Sequence, residues 1–256
     1  MTVPLVECRN LSIGYDGKPV LAGINLTIGA GEIVVLLGGS GCGKSTLLRT
    51  IIGLHEPLAG EVLLFGESLY DLPLDERYTL LKRTGTAFQQ DALFGSMTVG
   101  DNVALPLHEL TSLPESVIRE MVRMRLEMVG LPGVEPREPN SLSGGQRKRA
   151  SLARASIIDP EILFCDEPSA GLDPAVAATI DETLLRFKSA IGSSLVVVTH
   201  ELPSIETIAD RALMFANGTI HAAGTIDELK SSKDEHVYNF FHRIAEHHPG
   251  AGAPAR

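Results

Sequence analysis

IVVLLGGSGCGKSTLLRT, residues 33–50, decides how the rest of the chain is read. Its first five residues are apolar without alternation, as in a strand covered on both faces. Gly38, Gly43, Lys44 and Ser45 then fit G-x-x-x-x-G-K-[ST], between that strand and a helical stretch. Glycines let backbone N–H groups turn inward around phosphates, and the helix that follows adds the positive end of its dipole. Lys44 is expected to reach the β- and γ-phosphates of a nucleotide, the Ser45 hydroxyl a Mg²⁺ ion, and Thr46 the α-phosphate. The candidate cradle is therefore Gly38, Gly39, Ser40, Gly41, Cys42, Gly43, Lys44, Ser45 and Thr46. The chemistry does not need the Cys42 thiol, although a thiol beside a helix N-terminus can be reactive.

Such a loop alone fits a kinase, a GTPase or many ATPases, so the discrimination lies downstream. EILFCDE, residues 161–167, is an apolar strand ending in two carboxylates. Asp166 is placed to hold a Mg²⁺ shell, and Glu167 to accept a proton from an attacking water or to orient it. Shortly before it stands LSGGQ, residues 142–146, opening the helical stretch RKRASLARAS. Ser143 can cap that helix, and Gly144 and Gly145 leave backbone N–H groups free for an anion. Arg147, Lys148 and Arg149 read as a solvated helix face rather than a phosphate or nucleic-acid site.

The charge balance supports that last reading. With 32 acidic against 22 basic residues and a net charge of −10 over 256 residues, the chain lacks the basic face that polynucleotide binding requires. Cys8, Cys42 and Cys165 stand at unrelated spacings, which argues against a disulfide framework or a zinc site and for a reducing compartment. No apolar run approaches the roughly 18 residues that cross a bilayer, and MTVPLVECRN lacks the zones of a signal peptide. Any service to a membrane is expected through a docked partner.

β-rich runs alternate with helical ones (VECRNLSIGY, EIVVLL, VLLF, TAFQ, EILFCDE, LVVVTH), which predicts a layered α/β sheet. The interval between the strands at 33–37 and 162–166 is mainly helical and predicts an inserted lobe. Within it, Val117, Met121, Met124 and Met128 fall at helix spacing and read as core packing rather than a partner groove. Asn217-Gly218 between two apolar runs predicts a tight hairpin. After residue 230 a short helix carries Tyr238, Phe240 and Phe241, either a docking patch or ordinary packing. The closing HHPGAGAPAR has the composition of disorder.

Taken in order, GGSGCGKST, LSGGQ and the Asp-Glu strand resemble the nucleotide-binding subunit of ATP-binding-cassette (ABC) transporters, over residues 6–224. The resemblance implies an α/β fold: a P-loop NTPase, RecA-like core with an inserted helical subdomain at about 91–157 and an N-terminal antiparallel β-subdomain. The cassette would span residues 1–230 and a tail residues 231–256. It also assigns roles by motif position. Tyr15 matches the aromatic that stacks on adenine, and Gln89 the Q-loop glutamine that touches Mg²⁺ and the lytic water. Asp173, in AGLD, matches the D-loop residue that crosses a dimer interface, and His200 the switch histidine on the γ-phosphate. Ser143, Gly144, Gly145 and Gln146 would close on the ATP held by a second copy, so that two ATP molecules with Mg²⁺ are sandwiched in a homodimer.

The stretch ALFGSMTVGDNVALPLHELTSLPESVIREMV, residues 92–122, is similar to ATPases of Mla- and Mce-type lipid transporters. That similarity implies integral-membrane permease subunits, an Mce substrate-binding protein and a small STAS-domain protein as partners. It also implies a peripheral position on the cytoplasmic face of the inner membrane. An importer ATPase for polar amino acids or other small solutes shares every catalytic motif and stays open as an alternative. A soluble, non-transport ABC ATPase fits less well, because neither a second cassette nor a long coiled-coil or zinc insertion is present.

Overall fold

The computed structural model describes residues 3–244, so the HHPGAGAPAR segment lies outside the described residues. β1 (Val6–Tyr15) and β2 (Lys18–Ile28) form a hairpin over Asp16-Gly17, whose φ values are 51° and 72°. β3 (Ile33–Gly38) leads into α1 (Lys44–Ile51), followed by β4 (Ala59–Leu64), β5 (Glu67–Ser68), α2 (Leu74–Leu81) and β6 (Thr84–Ala87). Three helices come next: α3 (Val99–Leu110), α4 (Glu115–Met128) and α5 (Gly144–Ser156). The chain returns through β7 (Ile162–Asp166), α6 (Pro174–Arg186), β8 (Ser194–Val198) and α7 (Leu202–Ile208). It then passes through β9 (Arg211–Ala216), β10 (Thr219–Gly224), α8 (Ile226–Lys230) and α9 (Glu235–His242).

The strands form two sheets, an antiparallel one ordered β2-β1-β4-β5 and a central one ordered β10-β9-β3-β8-β7-β6. In the central sheet β9, β3, β8, β7 and β6 pair in parallel, and β10 adds an antiparallel edge through the Asn217-Gly218 turn, at φ 51° and 76°. Both faces of the central strands are covered, which explains their unbroken apolar character. Val34 and Leu36 of β3, Ile162 and Phe164 of β7, and Val196 and Val198 of β8 face a core shared with α1 and the antiparallel sheet. Their alternates Ile33, Val35, Leu37, Leu163, Cys165, Leu195 and Val197 face a second core shared with the helices α3 to α6. The Gly-rich loop after β3 and the carboxylates after β7 thus emerge from neighbouring regions of one rigid sheet, with β8 between their strands. Among the described residues, no helix is long and apolar enough to cross a membrane.

Two sequence expectations change here. On α4 the buried stripe is Ile118, Val122 and Leu126, one residue on from the expected one. Met121 and Met128 pack half-buried against the core, but Val117 and Met124 are exposed, so the Met stripe sits at the edge of the buried face. Nor is the basic triplet of α5 solvated. Lys148 is buried, and Arg147 and Arg149 are half-buried, each donating to backbone carbonyls. Phe241 and Val237 of α9 are buried in the core, whereas Tyr238 is exposed and its ring stacks on His242.

Candidate active site

The Gly-rich loop folds around the start of α1 because its backbone must adopt conformations that side chains oppose. At Gly38, φ is 146° and a Cβ would stand 2.4 Å from the carbonyl oxygen of Phe215, so only glycine lets the loop leave β3 beside β9. The Lys44 side chain is buried, and its Nζ donates to the carbonyl oxygens of Gly38 and Gly39 at 2.8 and 2.9 Å. The Ser45 hydroxyl donates to Asp166 Oδ1 at 2.9 Å, which joins the loop to the end of β7. Beyond Asp166 the chain bends sharply. Glu167 has φ 49°, a left-handed conformation costly for a residue with a side chain, fixed in part by its N–H donating to the Val198 carbonyl.

That bend brings Glu167 to His200, which follows β8: Nδ1 of the histidine lies 2.8 Å from Glu167 Oε1. The other carboxylate oxygen, Oε2, is buried without a hydrogen-bond partner among the described residues. Histidine and carboxylate differ in access, with side chains 62 % and 11 % exposed respectively. A buried carboxylate oxygen needs a hydrogen-bond donor, and a water at this position would supply one.

These groups open onto a cavity of about 770 Å³. It is lined by Gly38, Gly39, Ser40, Gly41, Gly43, Lys44, Ser45 and Thr46 from the loop, with Tyr15, Gln89, Glu167 and His200 around them. Gln89, and not Gln90, is among the lining residues. Tyr15 is 49 % exposed; its hydroxyl lies 3.2 Å from the Thr46 hydroxyl, and its ring centroid lies 4.8 Å from that of His55. Cys42 departs from the sequence expectation. It does not line the cavity but packs part-buried against the core beneath the loop, with Sγ 3.6 Å from Lys44 Nζ. The other two thiols are deeply buried, and burial raises Cys8 to about 12 and pushes Cys165 up as well.

Ser143, Gly144, Gly145, Gln146 and Asp173 are not brought to this cavity. Ser143 caps α5 in a reciprocal box: its hydroxyl accepts from the Gln146 N–H, and Gln146 Oε1 accepts from the Ser143 N–H. Gly145 has a packing reason of its own, since a Cβ there would stand 2.4 Å from Val176 Cγ1 on α6. Asp173 caps α6, accepting from the N–H groups of Ala175 and Val176.

Sequence reasoning missed part of the cavity wall. Val20, Met214, His236, Phe240 and Ile244 also line it, the last three from α9 and the residues after it. A signal was present: Val237, Phe240, Phe241 and Ile244 fall at i, i+3, i+4 and i+7. Phe240 answers the open question about the tail aromatics with a third possibility, half-buried on the core and lining the cavity.

Comparison with known proteins agrees with this geometry. The ABC transporter family model matches residues 21–170. The intermembrane phospholipid transport system ATP-binding protein MlaF of Escherichia coli K12 is 39 % identical over 242 residues, 94 % of this chain and 90 % of that protein. The probable ribonucleotide transport ATP-binding protein mkl of Mycobacterium tuberculosis H37Rv is 38 % identical over 92 % of this chain and 66 % of its own length. Among solved structures, the dimeric ATP-binding cassette MJ0796, in a post-hydrolysis state bound to ADP and Pi, superposes with TM-score 0.79 at 30 % identity. That superposition covers 86 % of this chain and 98 % of the other. The chain belongs to the ATP-binding-cassette (ABC) transporter family.

Proposed function

We propose that this chain is the ATP-hydrolysing subunit of a transporter that moves phospholipid or another lipid between membranes, working as a homodimer against permease subunits. The observation that carries the hydrolytic part is the Glu167 carboxylate, one oxygen held by His200 and the other buried without a partner among the described residues, beside a cavity lined by the Gly-rich loop. In this reading the loop N–H groups and Lys44 hold the triphosphate, and Tyr15 stacks on the adenine. Glu167 orients the attacking water and takes its proton, with His200 holding the carboxylate and contacting the γ-phosphate. Catalysis here is positioning and charge neutralisation rather than covalent chemistry.

The residues fit a magnesium ion. Ser45 Oγ and Asp166 Oδ1 stand 2.9 Å apart, a hydroxyl and a carboxylate oxygen of the hard kind that Mg²⁺ prefers, with Gln89 on the same cavity. Bound there by Ser45, Asp166 and Gln89, Mg²⁺ would neutralise phosphate charge.

The signature residues Ser143, Gly144, Gly145 and Gln146, with Asp173, act on the cavity of the second copy. Their separation from the cavity of their own chain supports this, as do the dimeric cassettes of similar fold. The division into a cassette at 1–230, with a helical subdomain at about 91–157, and a tail at 231–256 belongs to the same reading. Phospholipid cargo is supported by the likeness to MlaF, an intermembrane phospholipid transport system ATP-binding protein. An Mce substrate-binding protein, a STAS-domain protein and a place on the cytoplasmic face of the inner membrane follow from the resemblance of residues 92–122 to Mla- and Mce-type ATPases. Native-membrane pull-down followed by lipid analysis tests them; co-purification with a permease carrying polar solutes would overturn the lipid reading.

Glu167→Gln tests the hydrolytic core. The variant is expected to keep ATP binding, to lose turnover by at least about a hundred-fold and to accumulate as a closed dimer on ATP addition. Normal steady-state hydrolysis would remove Glu167 from its role.

A further inference from the structure

The helix that begins at the signature grips the catalytic segments from behind. Along one face of α5, residues 148, 151 and 154 follow at a spacing of three and donate to carbonyl oxygens of two other segments. Ser151 Oγ donates to the Asp91 carbonyl at 2.8 Å. Arg154 donates to the carbonyls of Ala92 and Asp91, at 2.8 and 3.2 Å. Lys148, 9 % exposed, donates from a single Nζ to the carbonyls of Gln89 and Glu167, at 2.5 and 3.2 Å. Asp91 Oδ1 lies 3.6 Å from the same nitrogen, an ion pair beyond hydrogen-bond distance, so the ammonium has two hydrogen-bond acceptors and one charge partner.

Three of the four residues whose carbonyls are gripped have an unusual backbone. Asp91, Ala92 and Glu167 all carry a side chain at positive φ, 60°, 52° and 49°. Such backbone is costly for a residue with a side chain and persists only where its surroundings over-determine it. A buried ammonium is itself costly unless paired, and here its pairing is spent across the junction of three elements.

We infer that Lys148 is a positioning residue: it ties the carbonyls of Gln89 and Glu167 to the signature helix, so that both residues move with α5. The inference rests on the proposed role of Glu167 and deepens it. It makes closure of the signature on a nucleotide in the opposite copy mechanically continuous with the placement of the carboxylate in its own chain. Arg147, 3.5 Å from the Asp91 carboxylate, supports the same loop from the neighbouring position.

The test uses the full chain, with ATP turnover, ATP affinity and thermal stability measured together. Lys148→Met removes the donors at similar length but takes from Asp91 one of its two cationic partners, leaving Arg147, so Asp91→Asn is combined with it to lower the leftover charge. The double variant is expected to melt close to wild type and bind ATP within about two-fold, yet to turn over at least about ten-fold more slowly. Lys148→Arg, which keeps charge and donors, is expected to recover part of that loss. A double variant with wild-type kcat, or a Lys148→Met chain that loses stability but not kcat, would reduce Lys148 to a structural cation and overturn the inference. Glu167→Gln measured alongside separates the two failures. If it hydrolyses ATP normally, the site reading falls and the role of Lys148 with it. If it is silent while the double variant is fully active, only the role of Lys148 falls.

Discussion

Two glycine-rich segments of this chain each open a helix, and the fold treats them differently. Residues 38–46 wrap the floor of a cavity of about 770 Å³, with Lys44 buried and Ser45 bonded across to Asp166. Residues 142–146 enclose nothing in their own chain: Ser143 and Gln146 satisfy each other in a capping box, and Gly145 packs against Val176. The first segment is a concave half-site with its chemistry gathered. The second is a finished helix start presented outward, with its backbone braced by α6. The difference teaches that identical devices, glycine and a helix N-terminus, form a container where the sheet supplies walls and, in the proposed function, a lid where it does not.

The comparison is broken most directly by Lys44→Ala. Hydrogen bonds to charged groups contribute about 1.5–3 kcal/mol, so ATP affinity is expected to fall by about ten- to a hundred-fold or more in equilibrium binding. Unchanged affinity would mean that the cavity is not the phosphate cradle. Gly145→Ala probes the other segment. Its Cβ would meet Val176 Cγ1 at 2.4 Å, and overpacking of this kind costs about 1–3 kcal/mol. Turnover is expected to drop several-fold while ATP affinity of the chain stays within about two-fold; an equal loss of affinity would erase the distinction between container and lid.

A smaller effect lies at the seam between α6, which Asp173 caps, and α7, which follows His200. Ser204 Oγ donates to Asp181 Oδ2 at 2.9 Å, both groups buried. Burial raises the Asp181 carboxyl from an ordinary 3.8 to about 6, against a lesser lowering by the Ser204 hydroxyl and with Glu201 adding to the rise. The folded chain therefore keeps a proton that the unfolded chain releases, and this group's contribution to stability falls as pH rises from 3.8 through about 6. Asp181→Asn keeps an acceptor for Ser204 without the charge. Its melting temperature is expected to exceed wild type by a few degrees above pH 6, with the gain vanishing near pH 4. A gain independent of pH would assign it to packing instead.

Legibility in the sequence followed locality. The loop after β3 and the Asp-Glu end of β7 were readable because each is a strand followed at once by its chemistry. Gln89, Tyr15 and His200 were reachable only through family resemblance, since their meeting depends on sheet order, and so was Asp173, which does not join them. β2 was missed because bulges break its alternation: the pairing register shifts between Cys8 and Leu11 and again between Leu11 and Ile13, leaving buried Leu21 and Ile24 three residues apart. Lys148 read as a solvated charge because nothing on α5 reveals the carbonyls of Gln89 and Glu167 that surround it. The α9 contribution to the cavity wall was hidden for the same reason, although its apolar spacing was in plain view.

Container and lid belong to different copies in this reading, so the rate must depend on their meeting. The most direct measurement is ATP turnover per chain across a dilution series that spans the monomer–dimer transition, followed in parallel by light scattering. Turnover per chain is expected to fall toward zero as the dimer dissociates, in proportion to the dimer fraction. A chain that remained monomeric by scattering and hydrolysed ATP at the full rate would contradict it.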